Sequence, residues 1–206
     1  MKPFVELIKP SIGVITGVSL VHTVRMDDIG KIKHDIKELT RPIPKLICNA
    51  DFSELESSYK PVATYATSKS ADVSIVSITR AKSGTLNAKL SVFGEECDVK
   101  TQLVGRHSLS ALLAAATVAH QLGMEATAIT KALASISAVK GRMNLLPGVH
   151  ESILIDDTYN ASPKATEHGL KTLSEIDTEG RKIAVLGDML ELGHFTKDEH
   201  YMNSRS

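Results

Sequence analysis

The chain has 206 residues, with 24 Lys plus Arg against 24 Asp plus Glu, so its formal net charge is zero. A neutral chain with 4% aromatic residues and no Trp lacks the basic excess and the stacking rings of a general nucleic-acid or membrane-surface binder. It has no apolar run of roughly 18 residues and no signal-peptide apolar region, so we expect a cytoplasmic protein. The separation of Cys48 and Cys97 favours reduced thiols over a disulfide or a zinc site.

The first part of the chain predicts a parallel βαβ unit. The apolar, β-branched run 12–18 is typical of a strand, and residues 27–39 have apolar side chains at helical spacing. Pro42 ends that helix, and residues 45–49 indicate a second short buried strand. At roughly 150 residues per domain, the length allows one large domain or two small ones.

The middle of the chain predicts an antiparallel meander followed by two helices. Apolar residues over 73–78, 86–92 and 99–104 indicate three strands, with turns at Gly84 and Gly94. A run rich in Ala and Leu then predicts a helix over 108–122, which Gly123 stops, and a second helix over about 127–137.

The last part predicts a second βαβ unit, after a break at Gly141, Pro147 and Gly148. Residues 152–155 form its first strand, Pro163 starts a helix that runs to about residue 176, and the apolar run 182–186 forms its second strand. The boundary between two units therefore falls near residues 142–148.

Two polar clusters follow predicted strand ends, where open α/β sheets bind ligands. The first, DDTYN at 156–160, either grips a ribose hydroxyl or a metal-bound phosphate, or caps the Pro163 helix. The second, GDMLELG at 187–193, is either a binding loop or a plain strand-to-helix turn.

Three single residues are further candidates. His22 either binds a metal or moves a proton, or it is an ordinary loop residue, and Lys33 is either functional or solvated. His107 stands at a helix start, where it meets an anion or a base, or simply caps the helix. Neither G-x-x-x-x-G-K-[ST] nor G-x-G-x-x-G occurs, so these residues show no phosphate cradle.

The order of these motifs resembles the Mur ligase family of ATP-dependent enzymes that form peptide bonds. IDDTYNASP at 155–163 and VLGDMLELG at 185–193 are the most specific segments, and they are most similar to the branch that adds D-alanyl-D-alanine to UDP-N-acetylmuramoyl-tripeptide. The other segments that carry the resemblance are VITGVSLVH (14–22), IGKIKHDI (29–36), VGRHSLSALLAAA (104–116) and GRM (141–143).

The resemblance implies an α/β fold with two parts. Residues 1–142 would be the central ATP-binding domain, a parallel βαβ unit with antiparallel hairpins and helices, without its N-terminal P-loop part. Residues 143–206 would be the truncated start of a Rossmann-like C-terminal domain. It also implies ligation through an acyl-phosphate in peptidoglycan synthesis, with ATP and Mg, by a protein that is a monomer when full length. Because the P-loop is missing, we expect this chain alone to be inactive; a nucleotide-binding remnant and another Mur-like amino-acid ligase are the alternatives.

The resemblance also implies roles for the candidate residues. His22 would bind the second magnesium ion, and Lys33 would be carbamylated and help to position it, so both would be catalytic. Asp188 and Glu191 would line the dipeptide side. Six residues would contact ATP: His107, Ser110, Arg142, Asp157, Tyr159 and Asn160.

The chain departs from the family pattern at several of these places. The family usually has Asn at the positions of Gly17, Ser108 and Ser110 and Glu at Asp35, and the loop before Lys33 is short. Loss of two amide side chains removes fork-like hydrogen bonding to an adenine edge. That loss fits either an enzyme that uses backbone contacts or one that is losing activity.

Overall fold

The structure is a computed structural model that describes residues 2–17, 29–52, 59–81, 83–190, 192 and 196–203. The helices in these ranges are α1 Lys2–Ile8, α2 Ile29–Thr40, α3 Arg106–Gln121, α4 Ala126–Ala134, α5 Pro163–Glu175 and α6 Thr196–Asn203. The strands are β1 Ile12–Ile15, β2 Lys45–Asn49, β3 Ala63–Ala66, β4 Val73–Arg80, β5 Leu86–Val92, β6 Glu95–Lys100, β7 Asn144–Pro147 and β8 Ile153–Asp156. None of the described helices is long and apolar enough to cross a membrane. The fold class is α/β, as predicted.

The predicted βαβ unit is confirmed, because β1 pairs in parallel with β2 and α2 lies between them in the chain. Ile47 and Cys48 of β2 are completely buried, which explains their apolar run. Strand β3 continues the parallel half of the sheet and was not predicted, since its four residues, ATYA, are too few to show a pattern.

Strands β4, β5 and β6 form the predicted antiparallel meander. The predicted third strand at 99–104 is wrong in position, because the strand runs Glu95–Lys100 and Val92 pairs with Glu95 around a tight turn. Strand β6 is an edge strand with most of its side chains in solvent, so its polar sequence concealed it.

Helices α3 and α4 cover the sheet. Leu109, Leu112 and Ala116 of α3 are buried at helical spacing, and α4 buries Ile129 and Leu133 in the same core. Both predicted helices are confirmed, although each begins slightly earlier than expected and α4 ends at Ala134.

The second unit differs from its prediction. The strand at 152–155 forms as β8, but it pairs antiparallel with β7, and the helix from Pro163 forms as α5. The predicted strand at 182–186 is wrong: the segment has no strand assignment, and Val185 is 93% exposed. A strand needs a ladder partner as well as an apolar sequence, and no described residue pairs with this run.

Helix α5 packs against the first unit. Thr172 and Ile176 are buried, and the Ile176 side chain lies against the turn at Gly84. Arg80 at the end of β4 forms an ion pair with Glu175 at the end of α5. The two units therefore meet along one face of this helix.

Candidate functional site

A cavity of about 490 Å³ lies where α3, α5 and the loop between the two units meet. Apolar side chains, including Leu112, Val139 and Met143, form most of its wall. Six polar side chains reach it: His107, Ser108, Ser137, Arg142, Asp157 and His168. Its size and its mostly apolar wall with a few polar groups are typical of a small-molecule site.

His107 lies in the first turn of α3, after Gly105, which has a positive φ of 74°. Its ring is stacked on that of His168 from α5, with centroids 5.1 Å apart and planes inclined by 10°. Burial lowers the pKa of His107, and the neighbouring His168 lowers it further against the opposing pull of Asp157. The His107 imidazole is therefore neutral at pH 7.

The loop before β7 is joined to the loop after β8 beside this pair. The Asp157 Oδ1 atom accepts a hydrogen bond from Met143 N at 3.2 Å, and Tyr159 N donates to Gly141 O at 3.0 Å. Gly141 has a φ of 72°, and a Cβ there would lie 3.2 Å from Tyr159 N. Glycine therefore suits this position both in conformation and in space.

The Arg142 side chain lines the cavity, and its guanidinium packs against the ring of Tyr159. The Arg142 guanidinium carbon lies 4.2 Å from the centroid of the Tyr159 ring, which is a cation–π contact. Tyr159 itself is 71% exposed and does not line the cavity. The ring covers one face of the guanidinium and leaves its in-plane N–H groups free for an anion.

The side chains of Asp156 and Asn160 form hydrogen bonds within the loop after β8. The Thr158 hydroxyl and N–H donate to Asp156 Oδ1, and the hydroxyl bond is the main reason that the pKa of Asp156 lies below its usual value. Asn160 Oδ1 accepts a hydrogen bond from Ala161 N. The N-cap of α5 is Ser162, which makes no side-chain capping bond, so the helix-capping alternative for DDTYN is not what forms.

The two serines of α3 lie in different surroundings. Ser108 lines the cavity, but its hydroxyl donates to Val104 O at 2.6 Å. Ser110 does not line the cavity and instead lies near the hydroxyl of Tyr65 in β3. Burial raises the pKa of Tyr65 to about 12, with Ser110 opposing the rise, yet the Tyr65 hydroxyl has no partner of hydrogen-bond geometry among the described residues.

A second polar cluster, not predicted from the sequence, lies at the carboxyl ends of β2 and β3. Asn49 Nδ2 donates to Thr16 O at 3.0 Å, across from β1. Burial favours a higher pKa for Asp51, but hydrogen bonds from Ser68 and Thr67 outweigh it and leave the pKa lowered. Such strand ends are the ligand-binding edge of α/β sheets.

The structure describes only part of the remaining predicted set. His22 and Glu191 lie outside the described residues, and Lys33 lies in α2 without a described side chain. Asp188 is exposed, and its Oδ1 is 4.0 Å from His200 Nε2. No group of three His, Cys, Asp or Glu side chains within the described ranges is arranged to hold a metal ion.

Like Ser137, His168 is a cavity residue that was not predicted from the sequence. It lies in the second turn of α5, and it shares a helix face with Ala165 and the buried Thr172. Residues 165, 168 and 172 are three and four positions apart, which is the spacing of one helix face. That spacing is a usable signal, because α5 follows the end of β8 and residues near its start lie at the ligand-binding edge.

Comparison with known families follows this division of the chain. The family model for the Mur ligase middle domain matches residues 2–119, and the model described as "Mur ligase, glutamate ligase domain" matches residues 141–203. The chain belongs to the Mur ligase family. Residues 120–140 lie between the two matched ranges, and residues 136–139 of this stretch line the cavity.

Individual relatives agree with the family. UDP-N-acetylmuramoyl-tripeptide--D-alanyl-D-alanine ligase of Bacillus subtilis is 26% identical over 202 residues, which cover 95% of this chain and 43% of the relative. The crystal structure of MurF from Acinetobacter baumannii has a TM-score of 0.85 and 25% identity, over 97% of this chain and 45% of that one. MurF from Thermotoga maritima, solved in complex with ADP, has a TM-score of 0.81 at 22% identity over 95% of this chain and 45% of that one, and shows the shared fold. The chain spans less than half of these relatives.

Proposed function

We propose that the chain is part of an ATP-dependent ligase that adds D-alanyl-D-alanine to UDP-N-acetylmuramoyl-tripeptide in peptidoglycan synthesis. The similarity to ligases of that name over nearly the whole chain supports the substrates. The observation that carries the proposal is the cavity, because His107, Arg142 and Asp157, from separate segments, all line it.

The cavity fits the adenosine part of ATP in size and in chemistry. Apolar walls suit the faces of a base, and the neutral His107 ring offers an in-plane nitrogen to its edge. We assign the free N–H groups of Arg142 to phosphate, with Tyr159 as the support behind the guanidinium. When bound, ATP would supply the phosphoryl group that activates the substrate carboxylate.

The remaining roles are proposed from the family resemblance. We propose that His22 and Lys33 hold magnesium, with Lys33 carbamylated, and that Asp188 and Glu191 lie on the dipeptide side. By the same resemblance we propose Ser110 and Asn160 as ATP contacts, although neither lines the cavity. We propose further a division into 1–142 and 143–206, a cytoplasmic location and a monomeric full-length protein.

A ligase assay on the complete gene product that carries these residues tests the substrates. We expect phosphate release only when ATP, muramoyl-tripeptide and D-alanyl-D-alanine are all present. Release with a single amino acid in place of the dipeptide would mean another Mur-like ligase. The 206-residue chain has no G-x-x-x-x-G-K-[ST] motif, so we expect it to bind adenosine and ATP weakly and to release no phosphate.

The role of the cavity needs variants of this chain. Arg142→Ala should weaken ATP binding while leaving adenosine binding unchanged, since only the phosphate contact is lost. Lys171→Ala, an exposed change on α5, is the matched control and should alter neither. Equal loss of ATP and adenosine binding in Arg142→Ala would place the phosphates elsewhere.

A further inference from the structure

We propose that His168 is a positioning residue for the nucleotide base. Its ring stacks on His107 and confines that imidazole at the cavity, so that base binding and the docking of α5 favour each other. The inference rests on the proposed function, since it takes the cavity as the site of the base.

The stacked pair joins the two units of the chain. His107 belongs to α3 of the first unit and His168 to α5 of the second, and both rings line the cavity. The position of His168 is set by the rest of the helix face: Thr172 is buried one turn later, and Glu175 pairs with Arg80 another turn on. The docking of α5 therefore decides where the second imidazole lies.

The other side of His107 is confined by Gly105. A Cβ on Gly105 would lie 2.6 Å from His107 Cε1 and 2.6 Å from Thr172 Oγ1. The missing side chain thus leaves room both for the imidazole to fold back and for α5 to approach. His107 is held between the Gly105 backbone and the His168 ring, with a limited choice of orientations.

The charges around the pair make it sensitive to protonation. Asp157 acts on His107 electrostatically, and Arg142 lines the same cavity. Arg106 precedes His107 on α3, and His168 is the group that α5 contributes. Protonation of both rings would place two positive charges in adjacent parallel planes, which opposes the stack. A neutral pair has no such repulsion and leaves an in-plane nitrogen of His107 for the base.

Adenosine binding by the 206-residue chain and the titration of His107, both followed by NMR, test the inference. In His168→Ala we expect about five-fold weaker adenosine binding, because one aromatic pair is lost. We also expect a higher pKa for His107, because the neighbouring imidazole is gone. His168→Phe retains a stacking ring without a charge, so adenosine binding should recover while the pKa of His107 stays raised. Lys171→Ala should match the original chain in both measurements.

The outcomes separate the two proposals. If the unaltered chain binds neither adenosine nor ATP, the assignment of the cavity to ATP fails and this inference fails with it. If the chain binds adenosine but His168→Ala changes neither affinity nor the His107 titration, only the inference fails. Binding as weak in His168→Phe as in His168→Ala would mean that His168 contacts the ligand by hydrogen bonding, which also overturns the positioning role. Should His168→Ala not fold, the Phe variant and its His107 titration decide.

Discussion

Arg80 and Glu175 join the sheet to helix α5, with Arg80 Nη2 2.6 Å from Glu175 Oε2. The same guanidinium donates from Nη1 to Gly84 O at 3.0 Å, so it also holds the turn after β4. The two side chains retain 20% and 31% of their exposure. A pair that is partly buried and anchored at both ends should contribute more than a free surface ion pair.

A double-mutant cycle measures that contribution. Arg80→Ala, Glu175→Ala and the double variant should give a coupling free energy of about 1 kcal/mol in urea unfolding. The control is Lys164–Glu167 on the same helix, whose side chains are 74% and 50% exposed. That pair should give about 0.3 kcal/mol. Equal coupling in the two cycles would show that Arg80–Glu175 does not hold α5 in place.

Asp157 should stabilise the junction through its hydrogen bond to Met143 N. Met143 is buried and has a φ of 54°, which is unusual for a residue other than glycine. Because the residue is buried, an N–H that loses its acceptor costs free energy. Asp157→Ala should lower the free energy of unfolding by about 1–2 kcal/mol, and Asp157→Asn, which retains an acceptor oxygen, by clearly less. Asp177→Ala, at an exposed position, is the control. If Asn proves as damaging as Ala, the charge of Asp157 matters rather than its bond.

Most helices and strands could be predicted where the apolar residues follow a single helix or strand periodicity. Strand β2 has the bounds predicted, and α2, α3 and α5 fall within a few residues of theirs. The errors concern strands whose identity depends on their neighbours. The sequence of edge strand β6 is polar because the strand faces solvent, so no strand was predicted over its true range. The apolar sequence of residues 182–186 predicted a buried strand, although no described strand pairs with it.

Part of the site could also be predicted from the sequence. His107, Arg142 and Asp157 all line the cavity, as expected for residues in motifs at strand ends and helix starts. The helical spacing around His168 could have placed it on the same helix face as Thr172, but it could not reveal the stacking on His107, which is distant in the sequence. Ser110 shows the converse, since its position in a motif did not reveal that it lies near Tyr65.

Tyr65→Phe should stabilise the protein. The Tyr65 ring is fully buried, and its hydroxyl has no hydrogen-bond partner among the described residues, so removing it should add about 1 kcal/mol at neutral pH. Tyr159→Phe, at an exposed ring, is the control and should add nothing.

The same substitution has a pH dependence. The pKa of Tyr65 is raised to about 12, so the unfolded chain loses this proton near pH 10 while the folded chain still holds it. The original chain should therefore lose stability relative to Tyr65→Phe as the pH rises above about 10, by up to about 2–3 kcal/mol. Chemical unfolding at pH 8 and pH 11 measures the difference, and a constant gap between the two proteins would contradict the assignment.

The exposed apolar side chains between residues 183 and 190 should cause self-association. Ile183, Val185, Leu186 and Leu190 are 66%, 93%, 56% and 76% exposed, and the formal net charge of the chain is zero. Val185→Glu should raise the monomeric fraction in size-exclusion chromatography with light scattering. Leu122→Glu, at a position outside this run that is 69% exposed, adds the same charge as a control. A monodisperse original chain would show that this run does not drive association.

Gly105→Ala should be the most disruptive single change at the junction. Two costs add there: a φ of 74°, which costs an Ala about 1 kcal/mol, and a Cβ only 2.6 Å from both the His107 ring and Thr172 Oγ1. We expect a loss of about 3 kcal/mol in the free energy of unfolding. Gly94→Ala is the matched control, because Gly94 has a φ of 91° with nothing within 4 Å of the added atom, and it should lose about 1 kcal/mol. The excess in Gly105→Ala measures the combined contact of this position with His107 and with Thr172 of α5, and the His107 ring signals should shift in that variant alone. Equal losses in the two variants, with unchanged His107 signals, would mean that α5 does not pack against Gly105 in solution.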